Sequence, residues 1–184
     1  MSNLFTILSP AKTLDMNGGH GLTFKSSQPR HKAKTLKLAA EMLKYTPKKI
    51  EKLMSISNKL AIQNSERWKS FGTKSNPKGA AAMCFRGDVF QGLEAWTMTK
   101  ESINWAQKHV RILSGLYGVL RPLDSIQPYR LEMGTRLKID TSKNLYEYWG
   151  NSLMKTILSD MKSSGATTLV NLASDEYSKA VGLQ

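Results

Sequence analysis

Two short apolar segments constrain the fold of this chain more than any other feature of its sequence. LFTIL (residues 4–8) and TTLVNLA (167–173) are mainly apolar segments of strand length, which is typical of strands buried inside a sheet. A polar turn-forming sequence follows each run, SPAKTLD after the first and SDEY after the second. Helical patterns lie between the two runs, so the sequence predicts an α+β fold in a single mixed domain spanning residues 1–184.

Apolar periodicity and capping residues predict five helices, of which the second is short. They cover residues 30–44, 48–54, 58–71, 99–109 and 144–162. Thr46 followed by Pro47 marks the start of the second helix, and Ser57 and Thr99 cap the third and fourth. Shorter helical segments are predicted within RGDVFQGLEA, as a turn that leads into one or two helical turns, and at SDEYSKAV.

The remaining segments predict short strands and loops. AAAMCF (80–85) has the composition of a strand, whereas RIL (111–113) either extends the preceding helix or begins a strand. Residues 15–29 and 114–134 are rich in glycine and proline and predict irregular structure, with short strands in the second segment.

Length and composition exclude several classes of protein. A chain of 184 residues with 40% hydrophobic content can bury a core without disulfides. No apolar run approaches the ~18 residues that span a bilayer, and no basic segment precedes the apolar N-terminus. The single cysteine, Cys84, favours a buried unreactive thiol over a redox sensor. These features predict a cytoplasmic protein with no membrane partner.

Positive charge is concentrated in one part of the chain. The 27 Lys and Arg outnumber the 14 Asp and Glu by 13 overall. Residues 25–78 alone hold 14 basic and three acidic residues, a net charge of +11, against +2 for the rest of the chain. Such a block favours binding to a polyanion, with nucleic acid ahead of an acidic membrane surface, although a solvated basic surface explains scattered lysines equally well.

The stretch LMSISNKLA (53–61) lies inside this block and has the spacing of a helix-hairpin-helix turn, Leu-x-Gly-Ile-Gly-x-Lys-x-Ala, with both glycines replaced by serine. In such a module, backbone N–H groups of the hairpin and of the second helix hold a phosphate. The sequence therefore predicts a module over residues 46–71. The residues predicted to contact DNA are Lys48, Lys49, Lys52, Ser55, Ser57, Asn58 and Lys59.

An ordinary turn between two helices, capped by Ser57, explains the same spacing. Spacing alone leaves both interpretations open, and the surrounding basic block favours DNA. The phosphate interpretation requires that the backbone amide of Ser55 points outward.

Charged residues also follow several predicted strands, where loops in α/β proteins build binding sites. These residues are Lys12, Arg86, Asp88, Arg121, Arg130, Glu132, Asp175 and Glu176. Loops that converge would form a polar cleft able to bind a phosphate backbone or to perform acid–base chemistry. A buried ion pair or a helix cap explains each residue singly, so no catalytic residue is assigned.

The sequence predicts no metal and no cofactor. His20, His31 and His109 lack metal-ligand spacing, and no phosphate-binding or dinucleotide-binding glycine motif is present. Five aromatic residues are predicted to pack in the core rather than to stack on bases: Trp68, Trp96, Trp105, Tyr117 and Trp149.

Several of these motifs together resemble the YaaA family of bacterial peroxide-stress proteins. The matching stretches are SPAKTLD, GDVF, LSGLYGVLRPLD, QPYRLEMG, LYEYWG and NLASDEY, which extend from residue 9 to residue 177. The resemblance implies a cytoplasmic protein that helps cells to survive hydrogen peroxide and that limits unincorporated iron. It also implies an unusual mixed fold, DNA binding, a positively charged cleft and a helix-hairpin-helix motif, which falls on Leu53–Ala61.

The chain departs from the family pattern at two positions, with Arg86 where Lys is frequent and Phe90 where Tyr is common. Family chains continue beyond NLASDEY, so the resemblance implies a chain shortened at its C-terminus. We therefore expect an exposed sheet edge beside LVNLA and an open cleft.

Three functions follow from these observations. The first is largely non-specific binding of duplex or branched DNA in peroxide-stress defence, with no obligate protein partner. The second is an enzyme that acts on a phosphorylated or nucleotide substrate in the charged cleft. The third is direct iron binding, for which carboxylates are present without a His or Cys cluster.

Overall fold

A four-stranded sheet forms the centre of the computed structural model, which describes residues 3–18 and 24–183. Its strands are β1 (Leu4–Leu8), β5 (Val110–Ser114), β6 (Gly118–Leu120) and β8 (Thr168–Leu172), in the order β6-β5-β1-β8. β1 pairs in parallel with both β5 and β8, and β6 pairs antiparallel to β5. Residues 19–23 belong to the segment 15–29 that was predicted to be irregular and include His20. They lie outside the described part of the chain.

The predicted strand at LFTIL is confirmed, and its position explains its composition. Phe5 and Ile7 are fully buried because β1 has a strand on each side and side chains packed on both faces. RIL belongs to β5, whose five residues are all buried, so it begins a strand rather than extending the helix before it.

The strand predicted at TTLVNLA is present as β8. Its position at an edge of the sheet agrees with the exposed edge expected beside LVNLA, whereas the burial predicted from its apolar residues is wrong. β8 pairs only with β1 and forms one edge of the four-stranded sheet. Leu172 is 59% exposed as a result. Apolar composition does not distinguish a central strand from an edge strand, because that depends on the neighbours that the rest of the chain supplies.

The first three predicted helices are confirmed as α1 (Lys32–Leu43), α2 (Pro47–Met54) and α3 (Asn58–Ser70). The side chain of Thr46 accepts a hydrogen bond from the backbone N–H of Lys49, and that of Ser57 accepts one from Leu60. Both caps satisfy an N–H group that has no partner inside its own helix, which explains why the helices begin where the sequence indicates.

The strand predicted over residues 80–85 is wrong. The segment divides into β3 (Gly79–Ala80), a single helical turn α4 (Ala81–Cys84) and β4 (Phe85–Arg86). β3 pairs with β7 (Ser125–Ile126), and β4 pairs with β2 (Thr13–Leu14). Alanine favours helix, and a short buried apolar run has no periodicity that separates the two structures.

Residues 88–109 follow the prediction. The short helix within RGDVFQGLEA is α5 (Asp88–Leu93), a 3-10 turn covers Ala95–Thr97, and Thr99 caps α6 (Lys100–His109). The last predicted short helix is α9 (Asp175–Ala180).

The single helix predicted over residues 144–162 is wrong, because the chain forms two helices there. They are α7 (Leu145–Trp149) and α8 (Ser152–Ser164), separated at Gly150. Gly150 has a φ of +48°, which interrupts a right-handed helix and which glycine adopts without steric cost. The apolar spacing continues across the break, with Trp149 and Leu153 both buried, so it conceals the interruption.

The predicted core aromatics are buried with one clear exception. Trp68, Tyr117 and Trp149 are almost inaccessible, and Trp96 is half-buried, but Trp105 is 43% exposed. The thiol of Cys84 is buried as predicted.

Candidate functional site

A small cleft lies at the carboxyl ends of β1 and β8. Because these strands are parallel, the segments that follow them leave the sheet at the same end of the strands. The two segments are residues 9–12 and 174–177. The hydroxyl of Ser9 donates to that of Ser174 at 3.2 Å and accepts the Ser174 backbone N–H at 2.9 Å. The cavity between the two segments has a volume of about 190 Å³.

Residues 129–132 form the third wall of the cleft. Their position is set by β5, because the hydroxyls of Ser114 and Tyr129 are hydrogen bonded at 2.7 Å in the core. Gly115 lies so close to this segment that a Cβ would be 2.3 Å from the carbonyl oxygen of Leu131. The wall is therefore fixed against the sheet rather than carried by a free loop.

Four of the eight predicted cleft residues gather here. Arg130 Nη2 donates to Glu132 Oε1 at 2.8 Å, and the ammonium of Lys12 lies 3.8 Å from the same oxygen. Glu176 lines the opposite side, where its Oε1 accepts the backbone N–H of Gly134 at 2.7 Å. Lys12 remains 69% exposed at the side chain, whereas Arg130 is only 16% exposed.

The structure places the other four predicted residues elsewhere. Arg86 pairs with Asp15 at 3.0 Å and lies over the ring of Trp96. Arg121 pairs with the fully buried Asp124 at 2.8 Å. Asp88 and Asp175 are the exposed first residues of α5 and α9, and neither lines the cavity.

The α2–α3 hairpin has the helices, the loop and the cap that the sequence indicates, but its chemistry differs at Ser55. Ser55 adopts a left-handed conformation (φ +50°), and its N–H and that of Ile56 both donate to the carbonyl of Glu51. These two amides close the C-terminus of α2, as in a Schellman-type cap. The requirement that the Ser55 amide points outward is therefore not met.

Other features of the hairpin remain suited to an anion. Ile56 packs against the core and fixes the loop, while Ser57 and Asn58 are exposed at the first turn of α3. Backbone N–H groups at the start of a 13-residue helix point toward solvent and carry partial positive charge. Asn58 Nδ2 donates to Glu51 Oε2 at 3.0 Å, which keeps one acidic side chain beside the loop.

Four lysines of this hairpin are exposed, and none of them has an ion pair with another described residue. They are Lys48, Lys49, Lys52 and Lys59. Their charges are not neutralised locally, so they present a positive surface to a polyanion.

The hairpin and the cleft lie on the same side of the molecule. A second cavity of about 540 Å³ is lined by Lys52 and Ser55 from the hairpin and by Glu132 and Glu176 from the cleft. The two cavities share Glu132 and Glu176, so they adjoin at these side chains, and together they are called the groove.

Sequence reasoning missed two arginines near this groove, Arg136 and Arg67. Arg136 lines the second cavity directly. Arg67 of α3 is half-buried, and its pKa is lowered by burial and by the positive charge of Arg130 nearby. The basic block contains Arg67, but its closeness to Arg130 depends on how α3 packs, which no local pattern reveals.

Sequence reasoning also missed an ion-pair cluster at the opposite end of β5. Asp160 of α8 accepts hydrogen bonds from Arg111 of β5 and from Arg30, beside an open cleft of about 880 Å³. Trp105 stacks on His109 at the same cleft, with ring centroids 4.7 Å apart. The buried part of this cluster joins α8 to the sheet.

The described residues contain neither a metal-binding group of side chains nor a membrane-spanning helix. Within residues 3–18 and 24–183, no three His, Cys, Asp or Glu side chains are grouped so that they could hold a metal ion. None of the helices in the described residues is both long and apolar enough to cross a membrane.

These observations define an α+β protein with a charged groove that runs from a lysine-rich helical hairpin to the carboxyl ends of parallel strands. Comparison with known families is more specific. The family described as peroxide stress protein YaaA matches residues 4–184, and the chain belongs to this family.

Curated relatives support the same assignment. The UPF0246 protein of Acaryochloris marina is 45% identical over 181 residues, which is 97% of this chain and 70% of the relative. The UPF0246 protein of Hahella chejuensis is 43% identical over 180 residues, with the same coverage. The one from Cupriavidus pinatubonensis is 45% identical over 184 residues, again with 97% and 70% coverage.

Proposed function

We propose that this chain acts in the cytoplasm in peroxide-stress defence by binding duplex or branched DNA, largely without regard to base sequence. The observation that supports the proposal best is the set of four exposed hairpin lysines without local ion pairs. Phosphate contacts from lysines give affinity but carry no information about base sequence.

The contact surface that we propose differs from the original hairpin interpretation. Ser55 takes no part through its amide, because that N–H closes α2. The lysine side chains and the exposed N–H groups at the start of α3, from Ser57 to Lys59, supply the phosphate contacts instead. Glu51 opposes this attraction, and its bond to Asn58 keeps its charge beside the loop.

DNA binding is tested by titrating two unrelated duplexes and one branched DNA at several salt concentrations. We expect similar affinities for the two duplexes, and a plot of log K against log salt with a slope of about −0.9 for each phosphate contact. A slope of zero contradicts the proposal, because phosphate contacts must release counterions.

Protection against iron-dependent damage is the proposed physiological outcome. It is tested by expressing the chain in cells that lack their own family member and by measuring survival in hydrogen peroxide together with unincorporated iron. An Fe(II) titration of the purified chain separates the two routes. A tight site supports direct binding, and its absence leaves an indirect effect on iron.

A second candidate function is an enzyme that acts on a phosphorylated or nucleotide substrate. It is favoured by the convergence of Lys12, Arg130 and Glu132 at the carboxyl ends of parallel strands. We expect Lys12→Ala and Glu132→Ala to abolish peroxide protection while the protein stays folded. Unchanged survival with both variants contradicts the candidate.

A further inference from the structure

The cleft beside β1 and β8 and the cavity that adjoins it together hold more positive charge than their carboxylates neutralise. The cleft is lined by Lys12 and Arg130 with Glu132 and Glu176, and Arg67 lies near Arg130 without lining the cavity. The adjoining cavity adds Lys52 and Arg136, so that four cations face two carboxylates along the groove. An excess of this sign attracts an anionic ligand.

The hydrogen bonds within the cleft do not fully satisfy the donors of Lys12 and Arg130. Both Lys12 and Arg130 approach a single oxygen, Oε1 of Glu132, and the Lys12 contact of 3.8 Å is longer than a hydrogen bond. The Nε of Arg130 is buried without a hydrogen-bond partner among the described residues. A buried donor without a partner is costly, so such groups commonly serve a ligand or a movable side chain.

Arg67 strengthens the case because it too lacks a counterion among the described residues. Its half-buried guanidinium lies near that of Arg130, and two like charges in this position repel one another. An anion bound at the cleft would relieve the repulsion between the two guanidinium groups.

The size of the cavity limits the ligand. Its volume of about 190 Å³ is below the roughly 300–1,000 Å³ of sites that enclose a whole drug-sized ligand. One charged group of a larger ligand fits this space. A phosphate monoester carries a charge of about −1.5 to −2 and three strong acceptor oxygens, which match an arginine fork and a lysine ammonium.

We propose that this cleft is a phosphate-monoester subsite, formed by Lys12 and Arg130 with Arg67 beside them, that takes a terminal phosphate. The inference rests on the proposed function in so far as the phosphate belongs to a nucleic-acid strand that follows the groove from the hairpin. A small phosphate ester offers the same chemistry, and the experiment below distinguishes the two sources.

The test compares duplexes of identical sequence that carry either a 5′-phosphate or a 5′-hydroxyl, at constant ionic strength. We expect the phosphorylated duplex to bind the full chain about tenfold more tightly or better, which corresponds to one charge-assisted hydrogen bond. Lys12→Gln and Arg67→Gln should remove this difference and leave most of the affinity for the hydroxyl-ended duplex. Lys143→Gln, an exposed lysine outside the groove, should preserve the difference.

A second arm titrates inorganic phosphate, with chloride at equal ionic strength as control, and follows thermal stability and displacement of the phosphorylated duplex. If inorganic phosphate stabilises the wild type but not Lys12→Gln, the subsite is supported even when no duplex binds. In that case only the proposed DNA binding fails. Equal affinity for both duplex ends together with no effect of inorganic phosphate overturns the subsite. If both duplexes still bind when the subsite is overturned in this way, the proposal of DNA binding is unaffected.

Discussion

Arg111 of β5 donates from Nε to Oδ2 of Asp160 of α8 at 2.6 Å, and both side chains are more than nine-tenths buried. Arg30 bonds to the other oxygen of the same carboxylate. One side chain thus joins the central sheet, α8 and the segment before α1. Burial lowers the pKa of Arg111, and the bond to Asp160 opposes that shift, so the carboxylate compensates the charge of the buried guanidinium.

We predict that Asp160→Asn destabilises the protein by about 3–5 kcal/mol, because it leaves the buried charge of Arg111 without a counterion. Urea denaturation measures the change in the free energy of unfolding. Asp140→Asn is the matched control, since Asp140 pairs with Lys37 on the surface and its loss should cost less than about 1 kcal/mol. Equal effects of the two variants contradict a structural role for the buried pair.

The left-handed conformation of Ser55 predicts a substitution that increases the free energy of unfolding. Ser55→Gly should stabilise the protein by up to about 1 kcal/mol, because a left-handed backbone strains a residue with a Cβ and does not strain glycine. Ser159→Gly, at an exposed position inside α8, should instead destabilise it by about 0.5–1 kcal/mol. Thermal or urea unfolding measures both, and a loss of stability in Ser55→Gly shows that the conformation assigned to Ser55 is wrong.

Cys84 gives a prediction for alkaline pH. Burial raises the pKa of its thiol from 9.0 to about 11, opposed by Arg86 and aided by Asp15. Between pH 9 and 11 the unfolded chain releases the thiol proton while the folded chain retains it, so the stability that Cys84 contributes is full below pH 9 and falls as pH rises.

This effect is measured as the difference in unfolding free energy between the wild type and Cys84→Ala. We expect the difference to be constant below pH 9 and to shrink toward pH 11. A difference that stays constant over the whole range shows that the thiol is not shielded from solvent, as does rapid modification of the folded protein by a thiol reagent at pH 8.

Local signals predicted much of the fold. Thr46, Ser57 and Thr99 each cap a helix through contacts within three residues, and their helices begin where the sequence indicates. Errors arose where tertiary contacts decide. The backbone N–H groups of Ala81 and Ala82, at the start of a helical turn where a strand was predicted, donate to carbonyls of Asp124 and Pro122, which are distant in the sequence. The edge position of β8 depends on its partners rather than on its composition.

The candidate site was predictable to a similar extent. Parallel strands bring their carboxyl ends together, which is why Lys12 and Glu176 line one cavity although 164 positions separate them. The use of the Ser55 amide inside α2 and the approach of Arg67 to Arg130 were not predictable. Both depend on the path of the backbone and on helix packing, which the spacing of residues does not encode.

The central claim is that the hairpin lysines bind the phosphate backbone of DNA. The most direct measurement compares the salt dependence of duplex binding by the wild type with that of a variant in which Lys48, Lys49, Lys52 and Lys59 are all replaced by Ala. A control variant replaces four exposed lysines elsewhere with Ala, namely Lys100, Lys143, Lys155 and Lys162.

We predict that the hairpin variant loses affinity for every duplex by a similar factor and that its slope of log K against log salt becomes shallower by about 0.9 for each contact removed. The control variant should keep the larger part of both the affinity and the slope. Equal slopes for the wild type and the hairpin variant, or an equal loss in the control variant, would contradict the claim.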